Sequence, residues 1–459
     1  MRNSLPESRE RGQHEGPRAS CKPQGVRHPA VVMAFLASLR GVATALALSA
    51  GALSAADLYL TPDGAGKKDG SSWENALAQA SLNDAVNDRL KAGDRLMLGG
   101  GAYPNGSLKL ATGGAPGKPK SIIGVDRGAG LPVFTSSWTV DKPDKGAACI
   151  ALEPGASHFV VRHLRIKHYC FGVRAGVSAE TPRSDLTFDD VDVEQQRHGY
   201  YLSHCDELTI ENCDLKRYSK HGFRLDQGCN RVAFRNCTAD CSEADLDWET
   251  KTELFPFGFT VNDAGAPSTK ITFEDCVAKN NRKSNQGALK YTNGDGFVVE
   301  GNTQDVTFTR CRSFRNQDGG FDLKVNGVQL TDCVSTGNRR AFRIWRTGTL
   351  TNCFGGWSTA GLWCKEGGVT ATRCTFHENQ KAAVELDDKA GAPVVLVDCL
   401  ISAAPKVELG PKLVELKETV VAPAGKPPGY AKADPAWDGT GPAMDAPAYP
   451  QKGYHSVKK

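Results

Sequence analysis

The 459-residue chain is short of aromatic residues, at 8%, and of methionine, with four. It lacks long helical patterns. Its one sustained apolar run, Gly41 to Ala56, is too short and too rich in Ala and Gly for a comfortable membrane span. Collagen, coiled coil and wholesale disorder are excluded by these scarcities together with an apolar content of 40%. Charge of one sign is missing too. Lys plus Arg number 56 against 52 Asp plus Glu, and residues 1–56, with seven basic and three acidic, hold the whole surplus of +4. The rest of the chain therefore has no electrostatic footprint for nucleic acid. What the sequence has in quantity is glycine (49), proline (24) and cysteine (15).

Residues 1–32 are polar and Arg-rich. From Met33 the chain reads AFLASLRGVATALALSAGALSAA, one Arg ahead of an apolar run that ends in small residues. This is the pattern of a secretory signal sequence, with the mature chain expected to start near Ala56 or Asp57 because the small residues Ser54 and Ala56 suit a signal-peptidase site. A secreted or periplasmic location follows as an expectation, with no membrane span in the mature chain. The polar leader is either an unusually long n-region or the product of a start assigned too far upstream.

Eight cysteines share one repeat position: IENCDL (Cys213), FRNCTA (Cys237), FEDCVA (Cys276), FTRCRS (Cys311), LTDCVS (Cys333), LTNCFG (Cys353), ATRCTF (Cys374) and LVDCLI (Cys399). The successive spacings are 24, 39, 35, 22, 20, 21 and 25, so most repeats have the length of one solenoid coil and two carry insertions. Val191 and Leu164 hold the same slot upstream. A slot that accepts Cys, Val and Leu is a stacked core position filled by free thiols. Disulfides or metal are the alternative, disfavoured because parallel side chains on coils about 4.8 Å apart approach badly for bonding.

A strand with strict alternation recurs between the cysteines: HGYYLS, HGFRLD, FGFTVN, DGFVVE, GGFDLK, RAFRIW, AGLWCK and AAVELD. Its third and fifth residues are apolar and point inward; the fourth and sixth point outward. Asn281, Asn316, Asn338 and Asn379 follow the ladder Cys by five residues, as left-handed turn residues bonded to stacked neighbours would. Two strands and a turn per coil specify an all-β fold, a right-handed parallel β-helix (solenoid). The expected divisions are a leader over 1–56, an N-terminal cap with a capping helix near Leu82–Leu90 and first coils over 57–135, the β-helix over 136–410, and an irregular Pro/Gly-rich tail over 411–459.

The outward positions form two columns. The first reads Tyr201, Arg224, Thr260, Val298, Asp322, Arg343, Trp363, Glu385, and the second Ser203, Asp226, Asn262, Glu300, Lys324, Trp345, Lys365, Asp387. Carboxylates, Arg, Lys and two Trp within a few coils suit a sugar chain, with indole faces for pyranose stacking. Arg224, Asp226, Asn262, Trp345, Trp363 and Lys365 are the expected substrate-binding residues. A solvated charge ladder is the alternative. Insertions over 241–256 and 282–294 enter beside these columns. The first carries Glu243, Asp245, Asp247 and Glu249, either oxygen ligands of the kind Ca²⁺ prefers or a solvated acidic loop.

TNGDGFVVEGNTQDVTFTRCRSFRNQDGGFDL (292–323) resembles the core motif of the polysaccharide lyase family 9 pectate-lyase-like β-helices, and SSWENAL…AGDRLMLGGGAY resembles their N-terminal cap. The resemblance implies β-elimination on a uronate-containing polysaccharide, with a lysine base and Ca²⁺ held by clustered aspartates. Asp295, Asp318 and Asp322 match that cluster, Asp295 and Asp318 being the metal candidates. The slot shortly after DGF where the resemblance implies the lysine holds Glu300, and the preceding loop lacks the run of aspartates.

Lys324 is the base that the sequence offers. Asp322 and Glu300 beside it would raise its pKa and Arg343 would lower it, a balance that only distances decide. Arg343, or Ca²⁺ at Asp295 and Asp318, would neutralise the substrate carboxylate. A glycoside hydrolase using Asp226, Glu300 and Asp322 is the second reading, and a non-catalytic carbohydrate-binding solenoid centred on Trp345 and Trp363 the third. The expected partner is an acidic polysaccharide and the expected state a monomer.

Overall fold

The computed structural model describes residues 55–176, 181–262, 265–285, 292–422 and 451–455. Every strand pairing among the described residues is parallel, each strand meeting its counterpart about one coil further on. The register is the one the alternation implies. Tyr201 pairs with Arg224, Arg224 with Thr260, Thr260 with Val298, Val298 with Asp322, Asp322 with Arg343, Arg343 with Trp363 and Trp363 with Glu385. Their alternate neighbours, from Tyr200 and Leu202 to Val384 and Leu386, are buried.

Each regular coil has three strands where the sequence suggests two. In the coil of Cys237, Asn230–Arg235 leads into the cysteine, Thr238–Asp240 follows it, and Phe257–Val261 carries the outward columns. The middle strand is too short for its alternation to show. It is set off by backbone bends with positive φ: Asp275, Arg310, Asp332, Asn352, Arg373 and Asp398 each precede a ladder cysteine. Asn280, Arg315, Gly337 and Glu378 form the next bend. The left-handed residue therefore precedes the ladder asparagine. Asn281, Asn316, Asn338 and Asn379 themselves are buried, and their amides bond along the stack: Asn281 Nδ2 donates to Asn316 Oδ1 (2.7 Å) and the Asn316 backbone N–H to Asn338 Oδ1 (2.8 Å).

The interior is a set of ladders. Phe223, Phe259, Phe297, Phe321 and Phe342 stack at 4.7–5.3 Å, and Phe234, Phe273 and Phe308 form a second column meeting the first edge-on. Such pairs add about 0.5–1.5 kcal/mol each beyond burial, which is how a chain with few aromatics stabilises a long core. The eight ladder cysteines are buried free thiols, as are the six others among the described residues. The ladder cysteines bond within the stack, as Cys353 does to the Thr351 carbonyl (3.4 Å) while its backbone N–H meets the Cys374 sulfur (3.4 Å).

The N-terminal helix is present as one α turn, Leu82–Asp84, widening into a π turn, Ala85–Arg89, with Leu82, Ala85 and Val86 packed into the core. The coils run past residue 411: Val414–Lys417 and Val420–Ala422 pair with Val394–Val397 and Leu400–Ser402. Residues 451–455 lie along the outside of the solenoid. Tyr454 sits buried against Val334, Phe354 and Trp357, and the backbone N–H groups of residues 453–455 donate in turn to Asp398 O, Thr375 Oγ1 and Asn352 Oδ1. No helix among the described residues is long and apolar enough to cross a membrane.

Candidate functional site

Two polar clusters occupy the outward columns. The first is centred on the coils of Asp295, Asp318 and Arg343. Gly319 starts the strand Gly319–Leu323, and its N–H donates to Asp295 Oδ1. A Cβ at that position would lie 2.8 Å from the same oxygen, so any other residue there would displace the carboxylate. Asp295 Oδ2 is buried without a hydrogen-bond partner. Burial, then repulsion from Asp322 and Asp318, pushes the Asp295 carboxyl well above the usual aspartate range.

Asp318 faces three guanidinium groups, those of Arg339 (3.6 Å), Arg340 (3.4 Å) and Arg343 (3.3 Å). Burial raises its pKa, with the three arginines acting in the opposite sense. Arg343 Nη1 also reaches Asp322 Oδ2 (3.4 Å), so one guanidinium bridges two aspartates. The other oxygen of Asp322 accepts from Trp345 Nε1 at 2.6 Å. Lys324 Nζ binds Glu300 Oε1 and stands 3.3 Å from Asp322 Oδ2.

These distances decide the balance that the sequence leaves open. Burial opposes a charge on Lys324, but Asp322 and Glu300 outweigh it and the pKa is raised. Lys324 at rest is an ammonium, not a free amine poised as a base. Its side chain is 25% exposed and that of Glu300 34%, whereas Asp322 is fully covered. The outward positions are not one open surface, because the large side chains lie over their neighbours.

The tryptophans illustrate this. Trp345 and Trp363 meet edge-on with centroids 5.4 Å apart. Arg343 and Lys365 stand over Trp345 at 4.7 and 4.6 Å, and Arg340 and Arg343 over Trp363 at 5.1 Å. Trp363 is only 6% exposed. The indoles thus hold cations rather than offering open faces to a pyranose.

The second cluster lies upstream. Asp226 accepts from Arg224 Nη2 (2.6 Å) and Tyr201 OH (3.1 Å), and Arg224 Nη1 also meets His221 Nε2 at 3.2 Å. A guanidinium only donates, so His221 Nε2 accepts and its Nδ1–H donates to His198 Nδ1, 2.9 Å away. Both imidazoles are neutral. Burial lowers their pKa values well below the usual histidine value, helped by Arg197 at His198 and by His198 at His221. They stack between Phe171 and Phe257. Asn262, half-buried, stands on the coil between the clusters.

These contacts narrow which of the three carboxylates of the hydrolase reading is open to a substrate. Asp322 is inaccessible, Asp226 is committed to Arg224 and Tyr201, and Glu300 alone of the three reaches solvent appreciably. The 241–256 insertion also differs from a cation loop. Glu243 pairs with Lys216 and Arg217, Asp245 caps the helix Leu246–Lys251, Asp247 pairs with Lys251, and Glu249 is buried against Arg315 (2.8 Å) and Arg282 (3.6 Å). Burial works against ionisation of Glu249, but Ser284 and Arg315 outweigh it and hold its carboxyl below the usual range.

The residues that the resemblance assigns to Ca²⁺ do not fit a dication. Asp318 is taken by arginines, Arg343 stands between Asp318 and Asp322, and no His/Cys/Asp/Glu group of three or more among the described residues is arranged to hold a metal. Sequence reasoning missed Arg339, Arg340 and the histidine pair. The pair had a signal: His-Gly opens two successive repeats, at HGYYLS and HGFRLD, and the two histidines are register partners.

A family model described as the right handed beta helix region matches residues 175–354, so the parallel coils take the right-handed course. No curated protein matches the sequence. Among solved structures the chain is similar to a pectate lyase (13% identity, 80% of each chain covered, TM-score 0.39). It is also similar to the A-module of a mannuronan C-5 epimerase from Azotobacter vinelandii (15%, 75% of this chain and 95% of that one, TM-score 0.49). A rhamnogalacturonan lyase gives 13% identity over 79% of this chain and 87% of that one, with a TM-score of 0.41. At such identities the likeness is one of fold.

Proposed function

We propose that this chain is an exported carbohydrate-active β-helix that cleaves a uronate-containing polysaccharide by β-elimination at Glu300 and Lys324. The observation that carries the reading is the partly buried, solvent-reaching ion pair of these two side chains, beside a buried cluster of aspartates and arginines. The apolar run ahead of Asp57 supports export, and a signature DGF…DGGFDL around the pair supports the reaction class.

The chemistry is charge exchange. A uronate carboxylate that enters beside Lys324 takes the place of Glu300 on the ammonium. That pairing withdraws electron density and acidifies the C5 proton. Glu300, released, accepts the proton; the C5–H electrons form the C4–C5 double bond as the C4–O bond breaks. The leaving oxygen takes a proton from the Lys324 ammonium or from water, and the pair resets when Glu300 loses its proton. Lys365, over the Trp345 ring, contributes positive charge for a neighbouring carboxylate. Lys324 thus acts chiefly as the electrophilic partner rather than as the base.

The test is a screen of acidic polysaccharides for an unsaturated product absorbing in the ultraviolet. With an active polymer in hand, Lys324→Ala and Glu300→Gln should each abolish the signal, and Lys365→Ala should raise KM with turnover retained. New reducing ends without unsaturation would replace the lyase by a hydrolase, and binding without either product would leave a binding module. Export is tested separately: secreted protein beginning near Ala56 supports it, and secreted protein beginning at Met1 or Met33 refutes the cleavage site.

A further inference from the structure

We propose that Arg343 is a built-in cation that occupies the place of a divalent metal, so that the aspartate cluster of this chain takes up none. Three observations carry the inference. First, Arg343 Nη1 stands 3.3 Å from Asp318 Oδ2 and 3.4 Å from Asp322 Oδ2, so the guanidinium fills the position between two carboxylates where a bridging ion would sit. Second, charge is already met. Asp318, Asp322 and Glu300 are paired with Arg339, Arg340, Arg343 and Lys324, the last bound to Glu300 and close to Asp322. A dication would add two positive charges beside a guanidinium that has no room to leave.

Third, Arg343 is fixed from outside. Its guanidinium lies 4.7 Å from the Trp345 centroid and 5.1 Å from that of Trp363, and the residue is 8% exposed. The Trp345 indole is itself held by its bond to Asp322. Withdrawing the guanidinium would break two ion pairs and two cation–π contacts together. Asp322 Oδ2, which accepts no hydrogen bond, is faced instead by Lys324 Nζ at 3.3 Å and Arg343 Nη1 at 3.4 Å, so its charge is balanced by cations that the chain itself supplies.

The inference concerns metal uptake and stands whether or not the Glu300/Lys324 reading holds, because its test reads stability and metal content. Purified wild-type protein is assayed for bound metal and its thermal unfolding followed in EDTA and in millimolar CaCl₂. The expected result is no stoichiometric metal and the same midpoint in both. Arg343→Met, which keeps length and removes charge, leaves the aspartates uncompensated. It should unfold earlier in EDTA and recover several degrees in CaCl₂ through ligand linkage, whereas Arg343→Lys should show no such response. Stoichiometric calcium in the wild type, or a midpoint that rises with CaCl₂, would overturn the inference, and so would a folded Arg343→Met variant indifferent to calcium. If Arg343→Met does not fold, the wild-type comparison decides alone.

Discussion

The two polar clusters share one face and one strand register, yet they differ in what their charges are free to do. Around Asp226 every group is committed: Arg224 is held by Asp226 and His221, Tyr201 donates to Asp226, and the two histidines are neutral and stacked between phenylalanines. Around Lys324 the deeper charges are locked by Arg343, while Glu300 and Lys324 remain within reach of solvent. An outward position in a solenoid is therefore a necessary condition for chemistry and not a sufficient one. What separates the clusters is that only the second keeps an ion pair that is partly open to solvent.

The largest effect should separate them by rate. Glu300→Gln is expected to lower turnover about 10²–10⁴-fold, the range for losing a general base. Asp226→Asn should act through KM, because that carboxylate orients Arg224 and meets no reacting atom. An inactive Asp226→Asn beside an active Glu300→Gln would move the reaction to the upstream cluster and break the comparison.

The next effect contrasts the outward columns with the uniform interior. Cys→Ala at Cys311, Cys333 or Cys353 should cost roughly 1–3 kcal/mol each through lost packing, and the wild-type denaturation curve should not move with reductant, because these thiols are free and buried. Urea denaturation with and without dithiothreitol measures both.

A smaller effect distinguishes the clusters by pH. His198 and His221 are held neutral in the fold and take up protons once unfolded. Their contribution is therefore complete above the unfolded value of about 6.5 and declines as the pH falls below it. His377, lowered to about 4 by burial, acts in the same sense. His221→Phe should flatten the loss of melting temperature between about pH 7 and pH 5, by on the order of 1 kcal/mol. Lys324, whose pKa is raised, contributes nothing to that slope, since its stabilisation is lost only as pH rises past the usual lysine range. An unchanged slope in His221→Phe would mean the pair is not neutral. Smallest of all, Arg217→Ala removes a partly exposed pair with Glu243 and should shift stability by less than about 1 kcal/mol.

The fold was legible because its determinants are local and periodic. The cysteine slot and the in-out alternation put Asp322 beside Arg343 and Arg343 beside Trp363 before any coordinates. The middle strand was not, since Thr238–Asp240 is three residues long and is defined by the bends flanking it. For the site, the column positions of Glu300, Asp322, Lys324 and Arg343 could be read. Their depth could not, because it depends on how Trp345, Trp363 and the arginines fold over their neighbours. The protonation of Lys324 was equally hidden, as two carboxylates within a few ångströms settle it and sequence gives only their coil numbers.

The central claim is that the partly buried Glu300/Lys324 pair performs β-elimination beside a cluster whose cations are its own. The most direct measurement is the ultraviolet absorbance of product released from a uronate polymer by wild-type protein and by Glu300→Gln, both in EDTA. The account predicts steady accumulation of unsaturated product with the wild type and none above background with Glu300→Gln. Accumulation that requires added calcium, or that survives the Glu300→Gln substitution, would contradict it.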